Sequence, residues 1–223
     1  MLRIPDWHEL ILLIPAVILA LSFHEFAHGK MAFWLGDPTA QRAGRLTLNP
    51  LKHLDPIGTL LLLFAGFGWA KPVPINPLYF RTRNKNMGTL WVSLAGPGMN
   101  LIFALFAAIL RALVLKLALL YGASWSDFAV NISLNLYDFL EYLCVINVVL
   151  AIFNLLPIPP LDGSKVLAAF LPWRLAAQYY QFERYGFLIL MLFIFTGLFS
   201  KLISPAILFV SNSFVSFAGW IIF

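Results

Sequence analysis

Between Leu10 and Phe23 the chain runs for 14 residues without a charge. Continued to about residue 35, this stretch has the length a helix needs to cross a hydrocarbon layer, about 20 mostly apolar residues. Similar runs lie near 88–110, 139–157, 185–200 and 202–223, the last two divided only by Lys201 and Pro205. A segment in lipid must satisfy its own backbone hydrogen bonds, so helices are expected here. The expected fold is an all-α polytopic membrane protein of about five to six transmembrane helices. Composition agrees, at 61% hydrophobic and 11% charged, where a soluble domain is about half apolar and a quarter charged. Cys144 is the sole cysteine, so no intrachain disulfide can form, and its apolar surroundings suit a small buried hydrophobe.

Residues 57–70 form one further apolar stretch, of 14 residues with three glycines. If it dips in and returns to the side it left, then Lys30, Arg42, Arg45, Lys52, Lys71, Arg81, Arg83, Lys85, Lys165, Arg174 and Arg184 share a side. That is 11 of the 15 basic residues, with Arg3, Arg111, Lys116 and Lys201 opposite. Basic loops stay in the cytoplasm, so this reading makes the first side cytoplasmic. If 57–70 crosses instead, the asymmetry collapses. The re-entrant reading is therefore expected. The basic residues are dispersed, without a patch for nucleic acid. The first apolar run is too long for a signal peptide and lacks a small-residue cleavage site. No repeat divides the chain, so one membrane domain over 1–223 is expected, with a catalytic core at about 10–165 and C-terminal helices at about 185–223.

Two histidines and a glutamate then sit inside the first span, in "HEFAH" at 24–28. His24 and His28, four apart, share a helix face and can bind one metal ion. Glu25 is placed to take a proton from an attacking water, which is the mechanics of the HExxH pattern. Ionisable groups deep in a membrane segment are costly and usually functional.

Catalytic zinc takes three protein ligands and one open position. His8 is about 24 Å from His24 along the helix, beyond reach. His53 and Asp55 lie in the loop after the first span. Asp162, in "NLLPIPPLDGSK", follows Pro157, Pro159 and Pro160, which break the helix and allow the chain to project a carboxylate. With 57–70 re-entrant, Asp162 falls on the same side as His24 and His28. The topology therefore favours Asp162 over His53 and Asp55.

The sequence also resembles the site-2 protease-like intramembrane zinc metallopeptidases, in their compact bacterial and archaeal branch. The resemblance rests on "HEFAH" at 24–28, "AGPGMN" at 95–100 and "NLLPIPPLDG" at 154–163, with "NPLKHLDPIGT" at 49–59 and "GWAKPVPINP" at 68–77. It implies zinc, one ion per chain, held by His24, His28 and Asp162, with Glu25 as general base. It implies a substrate-facing role for Asn154, and a multi-pass protein of the cell membrane whose substrates are transmembrane proteins. The chain departs from better-studied members in lacking PDZ and CBS domains and in carrying Ser164 where "LDGG" is more usual.

A substrate helix must unwind before its carbonyls can be attacked. Pro72, Pro74 and Pro77 favour extended backbone, and this loop beside the active site is expected to pair with unwound substrate by strand addition. Val73 and Pro74 are its expected contact residues, with the Val73 N–H as a pairing donor. A metal transporter or sensor would need polar groups across the outer half of the spans, which the sequence lacks. A pseudoprotease that binds transmembrane partners would be expected to lack part of the catalytic set, which is intact.

Overall fold

The computed structural model describes residues 6–58, 68 and 70–223. Helix α1 (Trp7–Trp34) opens with a capping box, in which the Asp6 side chain accepts the Glu9 N–H at 2.8 Å and Glu9 accepts the Asp6 N–H at 3.1 Å. It ends at Gly36, whose φ of 104° is open to glycine and strained for other residues. Further along the chain come α2 (Lys85–Tyr121) and α3 (Asp127–Asn154). Three shorter helices follow, α4 (Asp162–Phe170), α5 (Trp173–Gln181) and α6 (Glu183–Phe195), and then α7 (Leu198–Ile222). Among the described residues, four helices are long and apolar enough to cross a membrane: α1, α2, α3 and α7. The chain is a multi-pass all-α membrane protein.

Helix α2 is central and touches α1, α3, α4 and α7. Their shared core uses small residues, among them Ala16, Ala104, Ala107, Ala108 and Ala218, with Cys144 buried beside them. Lipid competes equally well for apolar side chains, so close backbone approach at small residues is what holds membrane helices together. Large apolar groups turn outward instead. Trp7 and Trp220 are exposed at one end of the bundle, and Trp34 and Trp91 toward the other, as interfacial belts require.

Three boundaries differ from the sequence expectation. Helix α2 continues to Tyr121, because nothing between Gly98 and Gly122 breaks it, and α3 starts at Asp127, since 127–154 holds neither Gly nor Pro. Much of 121–138, between the expected spans 88–110 and 139–157, is thus helix. Most of 158–184, between the expected spans 139–157 and 185–200, is likewise helical, as α4 and α5. The run expected to give a span at 185–200 is interrupted by Gly197 at φ 71°, leaving α6 with 13 residues. That is about 20 Å, short of the hydrocarbon core of about 30 Å.

The last correction concerns Lys201, expected on the side opposite the basic loops. Lys116, near the far end of α2, donates to the Ile222 carbonyl at 2.5 Å. Helix α7 therefore ends where α2 ends, and its first turn, with Lys201, lies at the end of the basic loops.

Most of the segment expected to be re-entrant, 57–70, lies outside the described residues. Its flanks are described. Leu54 and Ala70 form an antiparallel bridge, and Lys71 N–H donates to the His53 carbonyl at 2.8 Å. The two flanks meet on one side of the bundle.

Candidate metal centre

His24 and His28 lie one turn apart on α1, and both are buried. Asp162 is the first residue of α4 and is buried against them. Gly163 permits this position: a Cβ there would lie 2.2 Å from the Leu155 carbonyl oxygen, so α4 begins hard against the end of α3. The Asp162 Oδ2 is 3.2 Å from His24 Nε2 and 3.1 Å from His28 Nε2, and the two Nε2 atoms are 2.9 Å apart. Among the described residues this is the one cluster of three that could hold a metal ion.

The chemistry of the donors fits a cation. His28 Nδ1 lies 2.7 Å from the Val92 carbonyl, which can only accept. His24 Nδ1 lies 2.6 Å from Asn100 Oδ1, also an acceptor. Both Nδ1 atoms therefore carry hydrogen, and in neutral rings both Nε2 atoms present lone pairs. Two lone pairs and a carboxylate oxygen then converge within 3.2 Å, an arrangement that repels itself unless a cation joins it. Ligand pairs around tetrahedral zinc are about 3.3–3.6 Å apart, given bonds of about 2.0–2.2 Å, slightly wider than the separations here. A proton on the imidazoles can stand in for that cation: burial alone would raise the Asp162 carboxyl, but His24 and His28, when protonated, donate to it and hold it far below the usual range. Lys165 adds a cation 3.7 Å from Asp162 Oδ1.

Gly96 of α2 lets the helices meet here, since a Cβ on it would lie 2.4 Å from His28 Nε2 and 2.7 Å from His24 Cε1. The donors open onto a cavity of about 510 Å³, also lined by Glu25, Val73, Asn154 and Lys165. Asn154 donates to the Leu150 carbonyl of its own helix at 2.9 Å. His53 and Asp55, the alternative third ligands, are elsewhere: His53 Nε2 pairs with the Thr47 carbonyl at 2.7 Å and Asp55 accepts the Gly58 N–H at 2.8 Å.

The Pro-rich segment is extended along the cavity, as expected, but its Val73 N–H is not offered to a substrate. It donates to Glu25 Oε2 at 2.8 Å. A half-buried carboxylate held in place on α1 outcompetes a transient partner for that donor. Pro72, Val73, Ile75 and Pro77 line the cavity, and Pro74 is not among the lining residues. Arg45 holds the carbonyls of Lys71 (2.7 Å) and Pro72 (3.4 Å), and buried Asp37 accepts the Asn76 N–H at 2.7 Å. Three groups at the site escaped the sequence reading: Asn100, Arg45 and Asp37. An amide in "AGPGMN", within an apolar span, was signal enough for Asn100. The other two act on backbone atoms, which leave no motif.

Two histidines and a carboxylate converging beside a glutamate, inside a bundle of apolar helices, form a candidate metal centre. The profile of Peptidase family M50 matches residues 12–197. The chain belongs to this family, the site-2 protease family. It is 42% identical over 193 residues to the Bacillus subtilis (strain 168) protein named "Putative zinc metalloprotease YwhC", covering 86% of this chain and 84% of that one. It is 33% identical over 196 residues to "Putative zinc metalloprotease Rip2" of Mycolicibacterium smegmatis, covering 83% of this chain and 67% of that one. No solved structure gives a significant match.

Proposed function

We propose that this chain is an intramembrane zinc metalloendopeptidase of a bacterial or archaeal cell membrane. It hydrolyses peptide bonds in or near transmembrane segments of membrane-protein substrates, close to the cytoplasmic face. The observation that carries the reading is the convergence of His24, His28 and Asp162 beside Glu25 on one cavity within a helical membrane bundle. Placing Lys201 with the basic loops raises their share to 12 of 15 basic residues, the eleven of the sequence reading plus one, which supports a cytoplasmic position for the site.

In this reading His24, His28 and Asp162 hold one zinc ion per chain. Bound zinc supplies a Lewis acid that acidifies water and polarises a peptide carbonyl. Glu25 takes the proton from the attacking water and returns it to the departing amine. The Val73 N–H fixes which carboxylate oxygen of Glu25 faces the segment and leaves the other for the water. Asn154 orients the substrate backbone, and the apolar walls exclude bulk water. Free edge groups of the segment other than the Val73 N–H pair with unwound substrate.

Metal content by mass spectrometry tests the centre. The purified wild type carries about one zinc per chain and Asp162→Ala loses most of it, since removing one of three ligands destroys the site. Zinc retained by Asp162→Ala would overturn the ligand assignment. A second expectation concerns the loop. Val73→Pro deletes the N–H that holds Glu25 and lowers kcat by about 10–100-fold through misplacement of the base, with zinc content unchanged. Val73→Ala, which keeps the N–H, retains wild-type kcat. Equal kcat for both variants would leave the contact without a role.

A further inference from the structure

We infer that Asn147, which touches neither the metal donors nor the cavity, is a positioning residue for His24, acting through Asn100. The inference rests on the metallopeptidase reading above. Both amides are fully buried, at 0% exposure, and they join three helices: Asn147 on α3, Asn100 on α2 and His24 on α1.

The hydrogen bonds of this chain run in one direction. The Leu143 carbonyl can only accept, so the Asn147 amide nitrogen faces it, at 2.7 Å. That turns Asn147 Oδ1 toward Asn100, whose Nδ2 donates to it at 2.7 Å. The same Nδ2 donates to the Ala20 carbonyl at 3.2 Å. Asn100 Oδ1 is then left facing His24 Nδ1, at 2.6 Å. Because that oxygen can only accept, the proton sits on Nδ1, and Nε2 is the bare nitrogen turned toward Asp162 and His28. Flipping either amide would set oxygen against oxygen at fully buried positions, so two backbone carbonyls dictate the tautomer of a ligand on a third helix. Hydrogen bonds in such a chain polarise one another, which strengthens the His24 donor as well as orienting it. His28 provides an internal contrast, since the Val92 carbonyl fixes its tautomer in one step. His24 alone depends on a residue two side chains away.

The test compares Asn147→Leu with Asn147→Asp. Leucine removes the acceptor that holds Asn100. A protonated aspartate, the form favoured deep in the bundle, keeps both functions: its hydroxyl donates to Leu143 and its carbonyl accepts from Asn100. Zinc release to a chromogenic chelator is read together with thermal unfolding. The expected result is release about 10–100-fold faster in Asn147→Leu, and within about threefold of wild type in Asn147→Asp. Asn147→Ala is carried in parallel in case leucine prevents folding. Release at the wild-type rate from the leucine and alanine variants, or equal acceleration in leucine and aspartate variants, overturns the inference. The second outcome would mean a helix–helix contact only. A metal-free readout separates this from failure of the metallopeptidase reading. If the wild type takes up no zinc, that reading falls. Nitrogen-15 spectra of neutral His24 still decide: Nδ1–H in wild type, lost in Asn147→Leu, upholds the relay, and an unchanged tautomer overturns it.

Discussion

Glu25→Gln lowers peptide hydrolysis by about 10²–10⁴-fold, the usual contribution of a positioned proton acceptor, and leaves the zinc content at the wild-type level. The substitution is nearly isosteric. A glutamine oxygen can still accept the Val73 N–H that Glu25 accepts at 2.8 Å, so the extended segment keeps its attachment. Glu25 is not one of the three converging donors, so the ion is held as before. What glutamine cannot do is accept a proton. Single-turnover cleavage of a transmembrane peptide in proteoliposomes, with metal analysis on the same preparation, checks both halves. Wild-type turnover in Glu25→Gln would move the base elsewhere. Loss of zinc would make Glu25 a structural support of the centre.

Gly96→Ala is the second large effect, and it acts on the metal rather than on the chemistry. The added methyl would sit 2.4 Å from His28 Nε2 and 2.7 Å from His24 Cε1. Neither ring can swing aside freely, because each is tied at Nδ1, one to Asn100 and the other to the Val92 carbonyl. Either the imidazoles leave their shared position or α2 moves off α1. Zinc affinity falls by more than the 10–100-fold typical of supporting residues, because the ligand itself is displaced. Gly98→Ala, two residues on, is the control. Nothing lies within 4 Å of a Cβ there, and alanine suits a helix better than glycine by about 0.5–1 kcal/mol. Isothermal titration of metal-stripped protein compares the two. Equal affinities would show that the close approach at Gly96 has no bearing on the ion.

The centre was legible where chemistry forces residue types into a spacing. Two imidazoles four apart and a glutamate between them announce themselves in any helix. Asp162 was reachable because only one topology brings a carboxylate to the correct side. Helix ends were harder, because charges were read as exits from the membrane. Arg111 and Glu141 form an ion pair at 2.8 Å between α2 and α3, and Arg111 also lies 4.1 Å from the Tyr137 ring centre. Paired charges need no aqueous loop, so both helices run past them. The Val73–Glu25 bond was misread for a related reason. Backbone N–H and carbonyl groups are present at nearly every residue, and no letter in the sequence says which will meet a side chain. Leu143, Val92 and Ala20 contribute to the centre only through such groups.

The attachments of the Pro-rich segment have a mechanical consequence. Its anchors, Glu25, Asp37, Arg45 and His53, all belong to α1 or to the stretch just after it. One jaw of the cavity and the two histidines are thus a single body. The facing jaw includes Asn154 and Asp162. The ligand triangle bridges the two jaws like a clasp, so parting them stretches it by the same amount. Metal–ligand bonds tolerate only about 0.2 Å. If an ion is held there as proposed, the jaws are tied together at the ligand triangle, and that tie favours a thin, unwound strand over an intact helix as the polypeptide the cleft admits.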